Sequence, residues 1–318
     1  MSAPLLEIKG LKKYFPIGTS AKSGVVKAVD DVNLTLYEGE TLGIVGESGC
    51  GKSTVGRLAL RLLDPTEGEI RFNGVSIGGM SQRQLRPIRK DMQCVFQDPY
   101  ASLNPRLSVG YAIAEPLVLQ TGKSWKEAMK QAESLLETVG LSAQAARLYP
   151  HEFSGGQRQR IAIARAISLE PKMIVADEAV SALDVSIQAQ IVNLLGSLQQ
   201  RMKVSYMFVS HNLSIVRNIS DRVAVMYLGR VVETAGRDDL FGNPQHPYTK
   251  ALLSSVPEPD VTIKRERIVL KGEVPNAANP PSGCPFHPRC PIATDRCKTE
   301  RPEFREVKPG HFASCHFI

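Results

Sequence analysis

Two glycine-bearing stretches and one pair of carboxylates in this chain have the residue types that handle phosphate. Gly46, Glu47, Ser48, Gly49, Cys50, Gly51, Lys52, Ser53 and Thr54 fit the phosphate-loop pattern of Gly, four residues, then Gly, Lys and Ser or Thr. Glycines at 46, 49 and 51 let successive N–H groups turn onto one anion, Lys52 reaches the outer phosphates, and the Ser53 hydroxyl is a ligand for Mg²⁺. Ser154, Gly155, Gly156 and Gln157 form the second stretch. A serine N-cap followed by two glycines at a helix start also suits a close approach by an anion, which makes it a phosphate site with no nucleotide of its own. Asp177 and Glu178 close the apolar run Met173–Ala176. Alternation along a strand would send them to opposite faces, with Asp177 placed to hold Mg²⁺ through water and Glu178 to orient or deprotonate an attacking water.

These groups need elements to position them. Thr41–Val45 reads as a short buried strand and Val55–Leu63 as an apolar helix, so the first loop has the strand-loop-helix setting that a phosphate loop requires. Met92–Phe96 and Tyr206–Val209 are further apolar runs, ending in Gln97 and in Ser210 and His211. A polar tip after a buried strand recurs, and in open α/β sheets ligands bind at that edge. A lone histidine is ordinarily structural; its place on this edge singles out His211. Leu6–Lys9 and Val29–Leu36 alternate as half-buried strands, and Asn73-Gly74 within Gly68–Ile77 signals a hairpin, so the early region reads as an antiparallel sheet. Between those two strands, Tyr14 and Phe15 could stack on an adenine or belong to the core. Helices are expected over Leu107–Leu119, over Trp125–Val139 with Gly140 as its stop, from Ser154 to about Ser168, and over Val185–Arg201.

Composition narrows the class. The chain has 318 residues, 42% hydrophobic and 22% charged, enough for one large or two modest domains. No apolar run approaches the roughly 20 residues that span a bilayer, and MSAPLLEIKG lacks the regions of a signal peptide, so a soluble, intracellular protein is expected. The basic residues behind the net charge of +7 are scattered, which reads as solvated surface more than as a nucleic-acid face.

Taken together, these residues resemble the ATPase subunits of ABC transporters, over roughly residues 5 to 240. All the family's motifs occur in order: Walker A at Gly46–Ser53, Q-loop at Gln97, signature at Ser154–Gln157, Walker B at Met173–Asp177 with Glu178, D-loop at Ser181–Asp184 and H-loop at His211. The resemblance implies an active ATPase with a RecA-like α/β core, an antiparallel β subdomain and a helical subdomain at about residues 98–165. It also implies head-to-tail closure of two ATPase subunits over two ATPs. Ser154, Gly155, Gly156 and Gln157 would then meet the γ-phosphate held by the other subunit's Walker A loop, with Asp184 communicating across the interface. By the same resemblance Phe15, not Tyr14, stacks on adenine, His211 contacts the γ-phosphate, and Gln97 links the metal site to the helical subdomain. The catalytic set is thus Glu178, His211, Lys52 and Gln97. ATP is held by Phe15, residues 46–54, Gln97, Ser154–Gln157, Asp184 and His211, and Mg²⁺ by Ser53, Gln97 and Asp177. Two positions depart from the family pattern: Ala179 stands where Pro is common and Asn212 where Asp is common. Neither removes a ligand.

A soluble ABC ATPase working on nucleic acid is the competing reading. Such proteins carry two cassettes in one chain or a long coiled-coil insert, whereas each motif occurs here once and about a hundred residues separate Lys52 from Ser154.

The cargo class rests on further resemblance. Asn243–Leu253, Phe96–Pro105 and Val185–Ile187 are similar to segments of the oligopeptide and dipeptide importer group. That implies import of peptides, or in close relatives of nickel complexes, glutathione or sugars. It further implies a second ATPase, commonly a paralogue, two transmembrane permeases, and a periplasmic or lipid-anchored binding protein. The expected place is then the cytoplasmic face of the cell membrane, with residues 1–242 as the ATPase domain and 243–318 as an importer-type extension. From Pro257 onward the extension holds ten of the chain's 21 prolines, so long helices are not expected. It also holds Cys284, Cys290, Cys297 and Cys315, separated by five, six and seventeen residues. Scattered free thiols are one reading. Zinc is another, with His287, His311 and His316 at hand, although the usual short cysteine pairing is lacking. Resemblance to the importer group implies a third, a [4Fe–4S] cluster on the four thiolates. Cys50 and Cys94 read as small loop and strand residues.

Overall fold

The apolar runs Thr41–Val45, Met92–Val95, Met173–Ala176 and Tyr206–Val209 all lie in strands. The computed structural model describes residues 3–18, 24–255 and 268–318. In chain order its strands are β1 (Pro4–Pro16), β2 (Val25–Tyr37), β3 (Thr41–Val45), β4 (Glu67–Phe72), β5 (Val75–Ser76), β6 (Met92–Val95), β7 (Met173–Asp177), β8 (Ser205–Val209), β9 (Arg222–Tyr227), β10 (Arg230–Gly236), β11 (Arg305–Lys308) and β12 (His311–Ala313). They fall in two compact units, one holding Tyr37–Glu40 and Gly79–Val209, the other Pro4–Leu36, Thr41–Gly78 and Ser210–Ile318.

In the first unit β6, β7 and β8 lie side by side and parallel, β7 in the middle. Met173–Asp177 and Ser205–Val209 are buried at every position, as parallel strands covered on both faces must be. The helices Val109–Thr121, Trp125–Thr138 and Gly155–Ile167 pack on one another. Serines set their starts: Ser108 accepts from the Tyr111 N–H, and Ser124 forms a reciprocal capping box with Glu127. Gly122, left-handed at φ 72°, ends the first of these helices, and stacking of Tyr111 on Trp125 (4.4 Å between centroids) joins it to the second.

The second unit holds two sheets. One is four-stranded in the order β2-β1-β4-β5, closed by the expected Asn73-Gly74 turn with φ of 50° and 76°, the sign that a two-residue hairpin needs at both positions. The other pairs β3 parallel with β9, β9 antiparallel with β10, β10 with β12, and β12 with β11. The last two strands come from the proline-rich tail, and nothing in their local sequence announces them. The helix after the phosphate loop runs over Lys52–Ala59, not Val55–Leu63. It starts early because Gly51, at φ 102°, turns the chain directly into it. It stops early because Arg61 takes φ 53° to bury a guanidinium that donates to the Ile77 and Leu63 carbonyls and to Asp64.

Candidate nucleotide site

The phosphate loop belongs to the second unit. Gly46 has φ 153° and Gly51 φ 102°, and a Cβ on either would sit 2.2 Å from the Met226 carbonyl oxygen or 2.1 Å from that of Ala28. Gly49, at φ 78°, has nothing within 4 Å, so conformation alone selects its glycine. Lys52 opens the helix with its chain only 4% exposed, and its ammonium donates to the Gly46 and Glu47 carbonyls at 2.9 Å each. The loop therefore holds its cation curled over the cradle. Ser53 and Thr54 follow in the first helical turn, both half-buried. Cys50 is buried, and burial pushes its thiol up despite the neighbouring Lys52.

Phe15 and Tyr14 separate clearly. Tyr14 donates its hydroxyl to Asp30 at 2.6 Å, and Asp30 also accepts from Arg230. Burial first, then that hydrogen bond, pushes the Tyr14 hydroxyl up to about 12, so it stays a donor. Phe15 is half-buried with the Lys13 ammonium 5.1 Å from its ring centroid, which leaves it the aromatic without a hydrogen-bonding task. His211 lies exposed in the same unit. Asn212 caps the following helix, its side-chain oxygen accepting from Ser214 and Ile215 N–H, so the departure from aspartate keeps the cap.

The first unit holds the carboxylates. Asp177 is the buried last residue of β7, 4% exposed. Glu178 does not continue the strand: its φ is 48°, and its N–H donates to the Val209 carbonyl. Strand alternation thus does not separate the two carboxylates. A left-handed turn does, held by the Ser181 N–H and hydroxyl, which both donate to the Glu178 carbonyl at 3.0 Å. Gln97 donates from Nε2 to the Glu178 carboxylate at 3.1 Å. Ala179 is buried behind this turn, 1% exposed. Ser154 accepts from the Gln157 N–H while the Gln157 side chain accepts from the Ser154 N–H, so the signature start is a capping box that the spacing Ser-x-x-Gln encodes. Gly155 and Gly156 form the first turn, and a Cβ on Gly156 would lie 2.5 Å from Ile187. Asp184 stands exposed at the N-cap of Val185–Met202 without bonding its turn through the side chain.

Sequence reading missed what surrounds Glu47. Its N–H donates to the Tyr248 hydroxyl at 2.9 Å, and its carboxylate takes a two-pronged ion pair from Arg289 at 2.7 and 3.0 Å. Tyr248 is fully buried against Tyr227 and Phe286. It is placed by His246, whose Nδ1 accepts from the Tyr248 N–H, and by Glu233, whose carboxylate accepts from the Gln245 and His246 N–H groups and pairs with His311. Burial pushes His246 down to about 3, keeping the neutral ring that an acceptor nitrogen requires. The His246-Pro247-Tyr248 run was the visible signal, legible only as a family mark.

Cys284, Cys290, Cys297 and Cys315 all line one small cavity, of about 10 Å³, together with His287, His316 and Phe286. None is in a disulfide. Burial pushes Cys284 up to about 11 and raises Cys290 and Cys315, so these three are thiols at neutral pH. Among the described residues no group of three or more His, Cys, Asp or Glu side chains is disposed to hold a metal ion, and that includes these four cysteines.

A phosphate loop on a parallel strand, with a serine-glycine-glycine helix start and a carboxylate turn in the other unit, defines a P-loop ATPase of the ABC cassette type. The ABC transporter family model matches residues 29–181, and the model for the C-terminal region of oligopeptide/dipeptide transporters matches residues 232–297. The chain is 56% identical to the oligopeptide transport ATP-binding protein AppF of Bacillus subtilis (strain 168), covering 98% of this chain and 97% of that protein. It is 51% identical to a putative peptide import ATP-binding protein of Brucella ovis, with the same coverage. Among solved structures, an ATP-binding cassette captured as a dimer in a post-hydrolysis state with ADP and Pi matches with a TM-score of 0.66 and 31% identity, over 73% of this chain and 98% of that one. This chain belongs to the family of ATP-binding subunits of oligopeptide/dipeptide ABC transporters. It is an ATPase subunit, and no helix among its described residues is long and apolar enough to cross a membrane.

Proposed function

We propose that this chain powers peptide import, with residues 1–242 as the ATPase domain and 243–318 as an importer-type extension. The observation that carries this is the match along almost the whole chain to peptide transport ATP-binding proteins, extension included. Partners would be a second ATPase, commonly a paralogue, two transmembrane permeases and a substrate-binding protein outside the membrane, with this chain at the cytoplasmic face. Exposed Tyr100, Leu148 and Tyr149 in the first unit suit docking on permeases, and Val185, 82% exposed beside Asp184, suits a subunit interface.

In the proposed cycle the Gly46–Thr54 loop and Lys52 bind the phosphates, Phe15 stacks on adenine, and His211 meets the γ-phosphate. Ser53, Gln97 and Asp177 offer the hard oxygen donors that Mg²⁺ takes, and the ion would neutralise phosphate charge. Glu178, held by Gln97 and Ser181, orients the water. Ser154–Gln157 and Asp184 act on the nucleotide of the opposite subunit.

The four cysteines would hold a [4Fe–4S] cluster that crosslinks the tail. Four thiols that line one small cavity support this, and His287 and His316 at the same cavity make zinc the alternative. Anaerobically purified chain should carry about four irons with matching sulfide; zinc in place of iron would overturn the cluster.

The test of the whole reading is co-purification with two multi-span permeases, followed by ATP-dependent uptake of labelled peptides into vesicles. Uptake of a nickel complex, glutathione or a sugar instead would reassign the cargo. Salt-sensitive DNA binding without permeases would overturn the importer.

A further inference from the structure

Glu47 is an odd residue to find in a phosphate cradle. It is the second residue of the loop, its carbonyl is one of the two that hold the Lys52 ammonium, and its carboxylate would repel an arriving triphosphate and compete for that ammonium. Arg289 removes the conflict. Its two terminal nitrogens take the two carboxylate oxygens at 2.7 and 3.0 Å, with the Arg289 side chain 7% exposed and that of Glu47 27% exposed, so solvent screens the pair little. Arg289 is itself fixed: its N–H donates to the Phe286 carbonyl, and its guanidinium lies 5.9 Å from the Tyr227 ring centroid. The Tyr248 hydroxyl, also from the extension, accepts the Glu47 N–H at 2.9 Å.

We propose that Arg289 is a positioning residue of the nucleotide site, and that the extension sets the charge of the phosphate loop by neutralising Glu47. This rests on the reading of Gly46–Thr54 as the ATP loop. The extension is then a working part of the ATPase as well as a family mark, and whatever displaces Arg289 from Glu47 weakens nucleotide binding.

The test measures binding of a fluorescent ATP analogue, and the KM and kcat of hydrolysis, for the full chain carrying Arg289→Met, Glu47→Gln, or both. Arg289→Met should weaken ATP binding on the order of tenfold, with the loss in KM more than in kcat, because the phosphate loop then carries an unpaired carboxylate. Glu47→Gln alone should raise affinity about threefold, because the Arg289 cation beside the loop is then unpaired, and in the double variant it should restore binding to within about threefold of the unaltered chain. Equal weakness of Arg289→Met and the double variant would make Arg289 merely a structural support of the tail and overturn the proposal, as would unaltered binding by Arg289→Met. Should Arg289→Met fail to fold, Glu47→Gln decides alone: raised affinity supports the proposal, and unaltered or weakened affinity overturns it. Failure of the unaltered chain to bind the analogue would instead overturn the ATP-loop reading.

Discussion

Gln97 Nε2 donates to the Glu178 carboxylate at 3.1 Å and lies 3.5 Å from the Ser181 hydroxyl. One amide thus joins the loop after β6 to the turn after β7, two chain segments 81 residues apart. Because Glu178 sits in a left-handed turn and not in the strand, its aim depends on these bonds.

Glu178→Gln should cut steady ATP hydrolysis by about a hundredfold or more, the usual size of a general-base loss, while ATP binding stays within severalfold. Single-turnover phosphate release measured beside nucleotide affinity checks this. Hydrolysis at the rate of the unaltered chain would remove Glu178 from its proposed role.

The glycines of the phosphate loop should not respond alike. Gly51→Ala places a Cβ 2.1 Å from a backbone oxygen at φ 102°, so ATP binding and the local fold are both expected to fail. Gly49→Ala meets nothing within 4 Å and should cost only about 1–2 kcal/mol for its left-handed φ. Thermal melts with and without ATP distinguish the two.

Ser154→Ala removes the acceptor of the Gln157 N–H and half of a capping box. A loss of about 1 kcal/mol of stability is expected, together with loss of ATP-driven dimerisation if the signature meets the opposite nucleotide. Ser154→Thr should recover the stability, since threonine also caps. Denaturant melts and gel filtration with the slow-hydrolysis variant read the two effects separately.

His246 links stability to pH. Its folded value, about 3, lies below the ordinary 6.5, so the unfolded chain binds the proton first as pH falls. The stabilisation from the neutral ring is complete above about pH 6.5 and declines below it at up to about 1.4 kcal/mol per pH unit. His246→Asn keeps an acceptor at this N-cap and does not titrate. Melting temperatures from pH 7.5 to 5 should therefore fall more steeply for the unaltered chain than for the variant, and parallel curves would exclude His246 as the titrating group.

The phosphate loop, the signature start and the Asn73-Gly74 hairpin were legible because each is local. Consecutive residues state the backbone geometry, as the positive φ values at Gly46, Gly49, Gly51 and Asn73 confirm. The parallel strands β6, β7 and β8 were legible because burial on both faces demands unbroken apolar runs. Three features were not. Glu178 leaves its strand, which alternation could not foretell, because hydrogen bonds from Ser181 and to Val209 define the turn. The tail supplies β12, which pairs with β10, and β11, which pairs with β12, where a short run of three or four residues gains its order only from a partner. Arg289 and Glu47 meet across 242 residues of chain. Residue order along the chain was enough to read an ATPase of the ABC type, because each of its motifs is local. The tertiary structure alone decided that the phosphate loop carries a carboxylate neutralised from the far end of the chain, because a contact between distant residues leaves no period or spacing to read.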